Sequence, residues 1–215
     1  AFQQVVFLDP DNWWALGNLG SAFMMRGDFE AAVDPLNRAL NIERDGLFLS
    51  NLGVIYYYLG EYDKAVEMHR EAVVEMPRSV SSWLNLGDAM RFSSQPEFAN
   101  AAYEKAKELA ATEAAISPND SGNLYRQAWS AAGTGDLQAA ELLIERALAL
   151  APENPYAHYF NALIRNEGGN VVAALAALRL AVRLGYPVTL LARDPLFENL
   201  RDDRAFRELV GDIDI

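Results

Sequence analysis

Two series of alanines recur along the chain with the same uneven spacing. The first series is Ala32, Ala65, Ala99, Ala140 and Ala174, with intervals of 33, 34, 41 and 34 residues. The second series, Ala39, Ala72, Ala106, Ala147 and Ala181, has identical intervals. A fixed period of about 34 residues predicts a solenoid, in which each unit buries its apolar side only by stacking on its neighbours.

Each unit of the period reads as two helices separated by a tight turn. The turns are marked by a glycine followed by an acid: Gly27-Asp28, Gly60-Glu61 and Gly135-Asp136. Glycine can close the first helix, and the acid suits the N-terminus of the second. Proline cannot continue a helix, so the second helices should end before Pro10, Pro77, Pro118 and Pro152. The expected unit is therefore a helical hairpin.

A particular set of residues recurs at fixed places in these hairpins. In the second unit the set is Leu52, Gly53, Tyr56, Ala65, Ala72 and Pro77, and the third unit has Trp83, Leu86 and Gly87. With this pattern the chain resembles the tetratricopeptide-repeat family. The resemblance implies an all-α fold, a right-handed superhelical solenoid of antiparallel helix pairs, with a C-terminal capping segment.

The period divides the chain into five repeats with a segment at each end. Residues 1–12 match the end of a second helix, so a preceding half repeat is expected. The repeats are 13–45, 46–79, 80–120, 121–154 and 155–187, the fifth being degenerate, and residues 188–215 should form capping helices. The third repeat is longer because its second helix runs on through "KAKELAATEAAISP". That extension is either a neutral insertion of helical turns or a projection that docks another domain.

Composition excludes several classes of function. The formal net charge is −12, and nucleic-acid binding would need a basic face. No apolar run is long enough for membrane insertion. Cysteine is absent, and His69 and His158 lie in different repeats without partners at metal-ligand spacing. We therefore expect no catalytic residues, no metal and no cofactor.

The resemblance implies that ligands bind a concave groove lined by the first helices. The family's geometry implies which positions face the groove, offset around the helix from the core positions, and their spacing of three or four residues keeps each set on one helical face. In the first three repeats they are Trp14, Asn18, Ser21, Met24, Asn51, Val54, Tyr57, Tyr58, Asn85, Asp88 and Arg91. The last two repeats add Tyr125, Trp129 and Tyr159. Packing against the adjoining repeat is the alternative for the aromatic residues, and Asn18, Asn51 and Asn85 suit ligand bonding and structural bonding equally.

The rotation of about 100° per residue separates three adjacent tyrosines of the second repeat. Tyr56 matches the family's core tyrosine, Tyr57 should face the groove, and Tyr58 should lie near the groove edge. Among these three, Tyr57 is therefore the expected ligand contact.

These observations favour a non-enzymatic protein-interaction module that binds a peptide or helical segment of another protein. The alternative is a regulatory C-terminal region of a larger signalling enzyme or transcription regulator whose catalytic or DNA-binding domain lies outside this chain. Self-association through the N-terminal repeat end is a further expectation, because an uncapped solenoid end exposes apolar surface. A bacterial source is expected. The compartment is not determined, with the cytoplasm favoured over the periplasm.

Overall fold

The computed structural model describes residues 2–211, which divide into two compact units, the first ending at Ala99 and the second beginning at Asn100. The described residues of both units form helices and no strands. Residues of the capping prediction beyond 211, and residue 1, lie outside the described part of the chain.

The first unit contains six α-helices. They are α1 (Phe2–Leu8), α2 (Trp13–Arg26), α3 (Phe29–Ile42), α4 (Gly46–Tyr58), α5 (Tyr62–Glu75) and α6 (Val80–Phe92), followed by a 3-10 turn at Pro96–Phe98. Helices α2 and α3 pack as a pair, as do α4 and α5. The turns within the pairs are so short that the helices must run antiparallel.

Helices of the second unit follow the same order. They are α7 (Ala99–Ile116), which starts one residue before the unit boundary, α8 (Ser121–Gly133), α9 (Leu137–Leu150), α10 (Pro155–Glu167), α11 (Val171–Arg183), α12 (Val188–Arg193) and α13 (Arg204–Val210). Helix α8 pairs with α9, and α10 pairs with α11. A 3-10 segment, Pro195–Leu200, separates α12 from α13.

The helix ends follow the local chemistry of the sequence. Gly27 and Gly60 adopt positive φ angles of 81° and 75°, and so provide the left-handed turn between a first and a second helix. Helices α1, α5, α7 and α9 each end two residues before Pro10, Pro77, Pro118 and Pro152. The predicted role of proline as the end of second helices is thus confirmed.

Small residues let the two helices of a pair approach closely. A β-carbon on Gly20 would lie 2.5 Å from Leu36 Cγ, and one on Gly53 would lie 2.6 Å from His69 Cε1. The recurring alanines of both series are buried on the second helices. The small residues that recur with the period therefore mark the places where helices are in contact.

Helix α7 extends further at its C-terminal end than the other second helices. It ends ten residues after Ala106, whereas α5 and α9 end three residues after Ala72 and Ala147. The first part of the extension is held within the second unit, because Ala110 is buried and Glu113 pairs with Arg126 of α8 at 3.4 Å. Ile116, at the end of the extension, is 80% exposed.

Candidate functional site

The first helices of the first unit carry a row of polar side chains. Asn51 Nδ2 of α4 donates a hydrogen bond to Ser21 Oγ of α2 at 2.9 Å, and Ser21 Oγ donates to the Gly17 carbonyl at 2.8 Å. Asn18 Nδ2 donates to the Trp14 carbonyl at 2.8 Å. Two of the three recurring asparagines therefore make hydrogen bonds within the protein: that of Asn51 joins α4 to α2, and that of Asn18 lies within α2.

The third asparagine of the row differs. Asn85 of α6 is half-buried, and no other residue in the 2–211 range forms a hydrogen bond with its side chain. Asn51 Oδ1 likewise accepts no hydrogen bond from the described residues. Asp88 and Arg91 follow Asn85 on α6 and are also half-buried. The row thus ends in a carboxamide whose hydrogen-bonding capacity is unused within the described chain.

Apolar side chains flank this row. Trp14 of α2 and Leu47 of α4 occupy corresponding places in their repeats and are 55% and 58% exposed. Met24 and Val54, both predicted candidates, are half-buried. This surface offers exposed apolar groups beside amide groups on neighbouring helices. A peptide would need both kinds of contact, one for its side chains and one for its backbone.

The structure corrects the expectation for Tyr57. Its side chain is only 8% exposed, and its ring centroid lies 5.9 Å from that of Tyr62 and 6.1 Å from that of Phe92. Phe92 belongs to the next first helix and covers Tyr57. Tyr58, half-buried, stacks on Phe29 with ring centroids 5.2 Å apart. The packing alternative therefore holds for Tyr57, which is not open to a ligand.

Trp129 in the second unit is corrected in the same way. It is 1% exposed, and its ring meets that of Tyr103 edge-on at 6.4 Å. Tyr103 comes from α7 and covers the face of α8 on which Trp129 lies. Spacing along α8 gives no information on which side chain of α7 packs against Trp129.

Tyr125 remains half-buried and is held by an aromatic neighbour that the sequence analysis missed. Its ring stacks on Phe160 of α10 at 4.8 Å, and the Arg126 guanidinium lies 5.7 Å from the Tyr125 ring centroid. Burial raises the pKa of the Tyr125 hydroxyl above its usual range. The stack joins α8 to α10 through two partly accessible rings.

Tyr159 belongs to the contact between the fifth repeat and the C-terminal segment. Its hydroxyl donates to Asp194 Oδ2 at 2.6 Å, and its ring stacks on Tyr186 at 4.4 Å. Asn166 Nδ2 donates to the Leu196 carbonyl at 2.9 Å. Asp194 is 1% exposed and was not singled out in the sequence, although an acid just before a proline is a common N-cap signal. These bonds hold the capping segment to α10.

The two histidines are held within the fold, His69 by burial and His158 by a hydrogen bond to the backbone. Burial lowers the pKa of His69 to about 3, and His158 Nε2 donates to the Pro152 carbonyl at 2.7 Å. Among residues 2–211 no group of three or more His, Cys, Asp or Glu side chains is arranged to hold a metal ion. Over the same residues, every helix is too short or too polar to span a bilayer.

Comparison with protein families agrees with the helix pairs and their period. One model of the tetratricopeptide repeat matches residues 1–46 and 125–185, and a second matches residues 48–74. The chain belongs to the tetratricopeptide-repeat family. Proteins of this family mediate protein–protein interactions, and the fold is typically a non-catalytic interaction module.

Individual tetratricopeptide-repeat relatives match only in part. The chain is 30% identical over 86 residues to the BBSome complex member BBS4 of Bos taurus, a match that spans 40% of this chain and 17% of that protein. A thermophilic tetratricopeptide-repeat protein of Thermus thermophilus superposes with a TM-score of 0.60 at 22% identity, covering 84% of this chain and 96% of that one. YrrB, a tetratricopeptide-repeat protein with an unusual peptide-binding site, superposes with a TM-score of 0.51 at 19% identity, covering 89% of this chain and 96% of that one. These structural likenesses establish the fold.

Proposed function

We propose that this chain is a non-catalytic interaction module that binds a peptide or helical segment of a partner protein on the first helices of its first unit. The proposal depends chiefly on the Asn85 carboxamide. This group has no hydrogen-bond partner among the described residues and continues the row begun by Asn18 and Asn51. An amide offers both a donor and an acceptor, which matches the two polar groups of a peptide unit.

The proposed ligand surface has a polar centre and apolar flanks. Ser21, Asn51, Asn85, Asp88 and Arg91 supply the polar centre. Trp14, Met24, Leu47, Val54 and Tyr58 supply apolar contacts. Exposed tryptophan and leucine side chains favour a segment with apolar residues, because burying them on binding removes apolar surface from water. Tyr57 and Trp129 stabilise the array and are left out of the proposed contact surface.

Family and fold support this assignment at a general level. The chain shares its fold with YrrB, a tetratricopeptide-repeat protein described as having an unusual peptide-binding site, and this likeness supports the proposal. The BBS4 match covers a small part of that protein, so no particular complex is inferred from it.

Selection from a library of random peptides, followed by fluorescence anisotropy, tests the proposal. Asn85→Ala and Leu47→Asp should each weaken the selected peptides about tenfold or more, through a lost hydrogen bond and a lost apolar contact respectively. Glu67→Ala is the matched control, because Glu67 is exposed on the second helix α5. Peptides that bind all three variants equally well would exclude this surface, as would a selection that yields no binding peptide.

A further inference from the structure

Charged residues are distributed unevenly between the first and second helices of the first unit. Helices α3 and α5, of 14 residues each, contain three and six charged residues. Helices α2 and α4, of 14 and 13 residues, contain one and none. The one is Arg26, in the last turn of α2, which pairs with Asp28 at 3.0 Å. In a chain with 22% charged residues, α2 and α4 are therefore depleted of charge.

Burial alone does not account for this depletion on α4. Helix α4 contacts both α2 and α6, so its two neighbouring first helices belong to the described structure. Leu47 is nevertheless 58% exposed, and Asn51, Val54 and Tyr58 are half-buried. Charged side chains are common at accessible positions, yet all four of these residues are uncharged. A partly accessible surface without charges is typical of the centre of a protein interface.

Helix α6 differs from α2 and α4 in this respect. It carries Asp88 and Arg91, which follow Asn85 and are half-buried. The proposed peptide surface therefore changes along the row of first helices, from uncharged on α2 and α4 to charged on α6. A segment that lies along the row meets these two environments in that order.

We propose that this change in charge determines which segments bind: the ligand is a segment of a partner protein whose residues over α2 and α4 are uncharged and mostly apolar, and whose charged residues lie over α6. The inference rests on the proposed function and specifies the ligand of the same surface. A charged side chain held over α2 or α4 loses water without gaining an opposite charge, which opposes binding. Over α6, Asp88 and Arg91 supply charges of both signs.

The spacing of the helices sets the length of the uncharged stretch. Packed helices lie about 8–10 Å apart, so a segment that crosses α2 and α4 covers roughly 20 Å. An extended chain advances about 3.3 Å per residue. The uncharged stretch of an extended ligand therefore comprises about six residues.

A scan of the ligand by glutamate and glutamine tests the proposal. Peptides are selected on the parent chain from a random library, and each residue of a selected peptide is replaced in turn by Glu and by Gln. The two side chains have nearly the same shape, so the difference between them isolates charge. Fluorescence anisotropy should show a run of about six consecutive positions at which Glu weakens binding at least about tenfold more than Gln does. Positions to one side of the run should accept both residues equally.

A charge added to α4 connects the run to this helix. Leu47→Lys should bind one of the Glu-substituted peptides about threefold or more tightly than the parent chain does, because the new ammonium group lies near the peptide carboxylate. Raising the salt concentration should reduce this gain. Val74→Lys is the matched control, since Val74 is 75% exposed but lies on the second helix α5. Far-UV circular dichroism should show unchanged helix content in both variants.

The outcomes separate this inference from the proposed function. Selected peptides that are weakened by Asn85→Ala and Leu47→Asp, but accept Glu and Gln equally at every position, would overturn the inference and leave the peptide surface in place. A gain for Glu-substituted peptides that is equal in Leu47→Lys and Val74→Lys would also overturn it, because added positive charge anywhere would then suffice. A library that yields no binding peptide would overturn both.

Discussion

The His69 imidazole lies directly against the α-carbon of Gly53, where an added β-carbon would come within 2.6 Å of Cε1 and 2.7 Å of Nδ1. The two residues sit on α4 and α5 and set the distance between these helices. His69 is 1% exposed and its Nδ1 has no hydrogen-bond partner among the described residues. The close approach therefore leaves no room for a side chain at residue 53.

Substitution of Gly53 should be strongly destabilising. Gly53→Ala should lower the free energy of unfolding by about 2 kcal/mol, because the histidine ring or the helix pair must shift to admit the methyl group. Gly168→Ala is a matched control, since its β-carbon would meet no atom closer than 3.4 Å. Urea unfolding measures both variants, and an equal loss in the two would show that the close contact is unimportant.

Stability should depend on the protonation of His69. The folded-state pKa of about 3 lies below the usual value of 6.5, so the unfolded chain binds the proton more readily between these values. Stability is then fully present above about pH 6.5 and decreases as the pH falls toward 3. From pH 7 to pH 5 this group should remove about 2 kcal/mol of the free energy of unfolding.

The variant His69→Phe isolates that contribution. Its loss of stability between pH 7 and pH 5 should be smaller than that of the parent by about 2 kcal/mol, since all other titrating groups are shared. The second helix of the third repeat carries an aromatic residue, Tyr103, at the corresponding place, so a ring of this kind suits the site. Parallel pH profiles for parent and variant would contradict the prediction.

Truncation of Trp129 should reduce stability strongly, whereas truncation of Trp14 should have little effect. Trp129→Ala should lower the free energy of unfolding by about 3–5 kcal/mol, because the buried ring packs against Tyr103. Trp14→Ala should change it by no more than about 0.5 kcal/mol, because the side chain is 55% exposed. Chemical denaturation of both variants measures the difference, and similar losses would mean that Trp129 is not the core residue described.

The bond between Tyr159 and Asp194 should hold the capping segment in place. Asp194→Ala should destabilise the chain by about 2 kcal/mol and Tyr159→Phe by about 1 kcal/mol, since each leaves a partner unsatisfied. The double variant should lose less than the sum of the two. Asp202→Ala, an exposed acid in the same segment, serves as the control. Thermal unfolding measures these effects, and strict additivity would show that the bond contributes nothing.

The surroundings of the three adjacent tyrosines depend on helical rotation and on packing by the next repeat. Helical rotation correctly separates Tyr56, Tyr57 and Tyr58 into different surroundings. Tyr56 is half-buried with Lys64 Nζ 5.2 Å from its ring centroid, so it does face the second helix of its own repeat. Tyr57 is the more buried ring, because Phe92 of the next repeat covers it. Rotation along one helix contains no information about a ring contributed from 35 residues away.

The sequence by itself determined the helix pairs, their turns and their ends. These features depend on the interval between small residues, on glycine at positive φ and on proline after a helix, all of which act locally. Only the tertiary structure decided which side chains of the first helices remain accessible. Trp14 is 55% exposed and Asn85 is half-buried, whereas Tyr57 and Trp129 are covered by Phe92 and Tyr103. Accessibility depends on the size of the side chain that a neighbouring helix happens to present, and that contact exists only once the helices have packed.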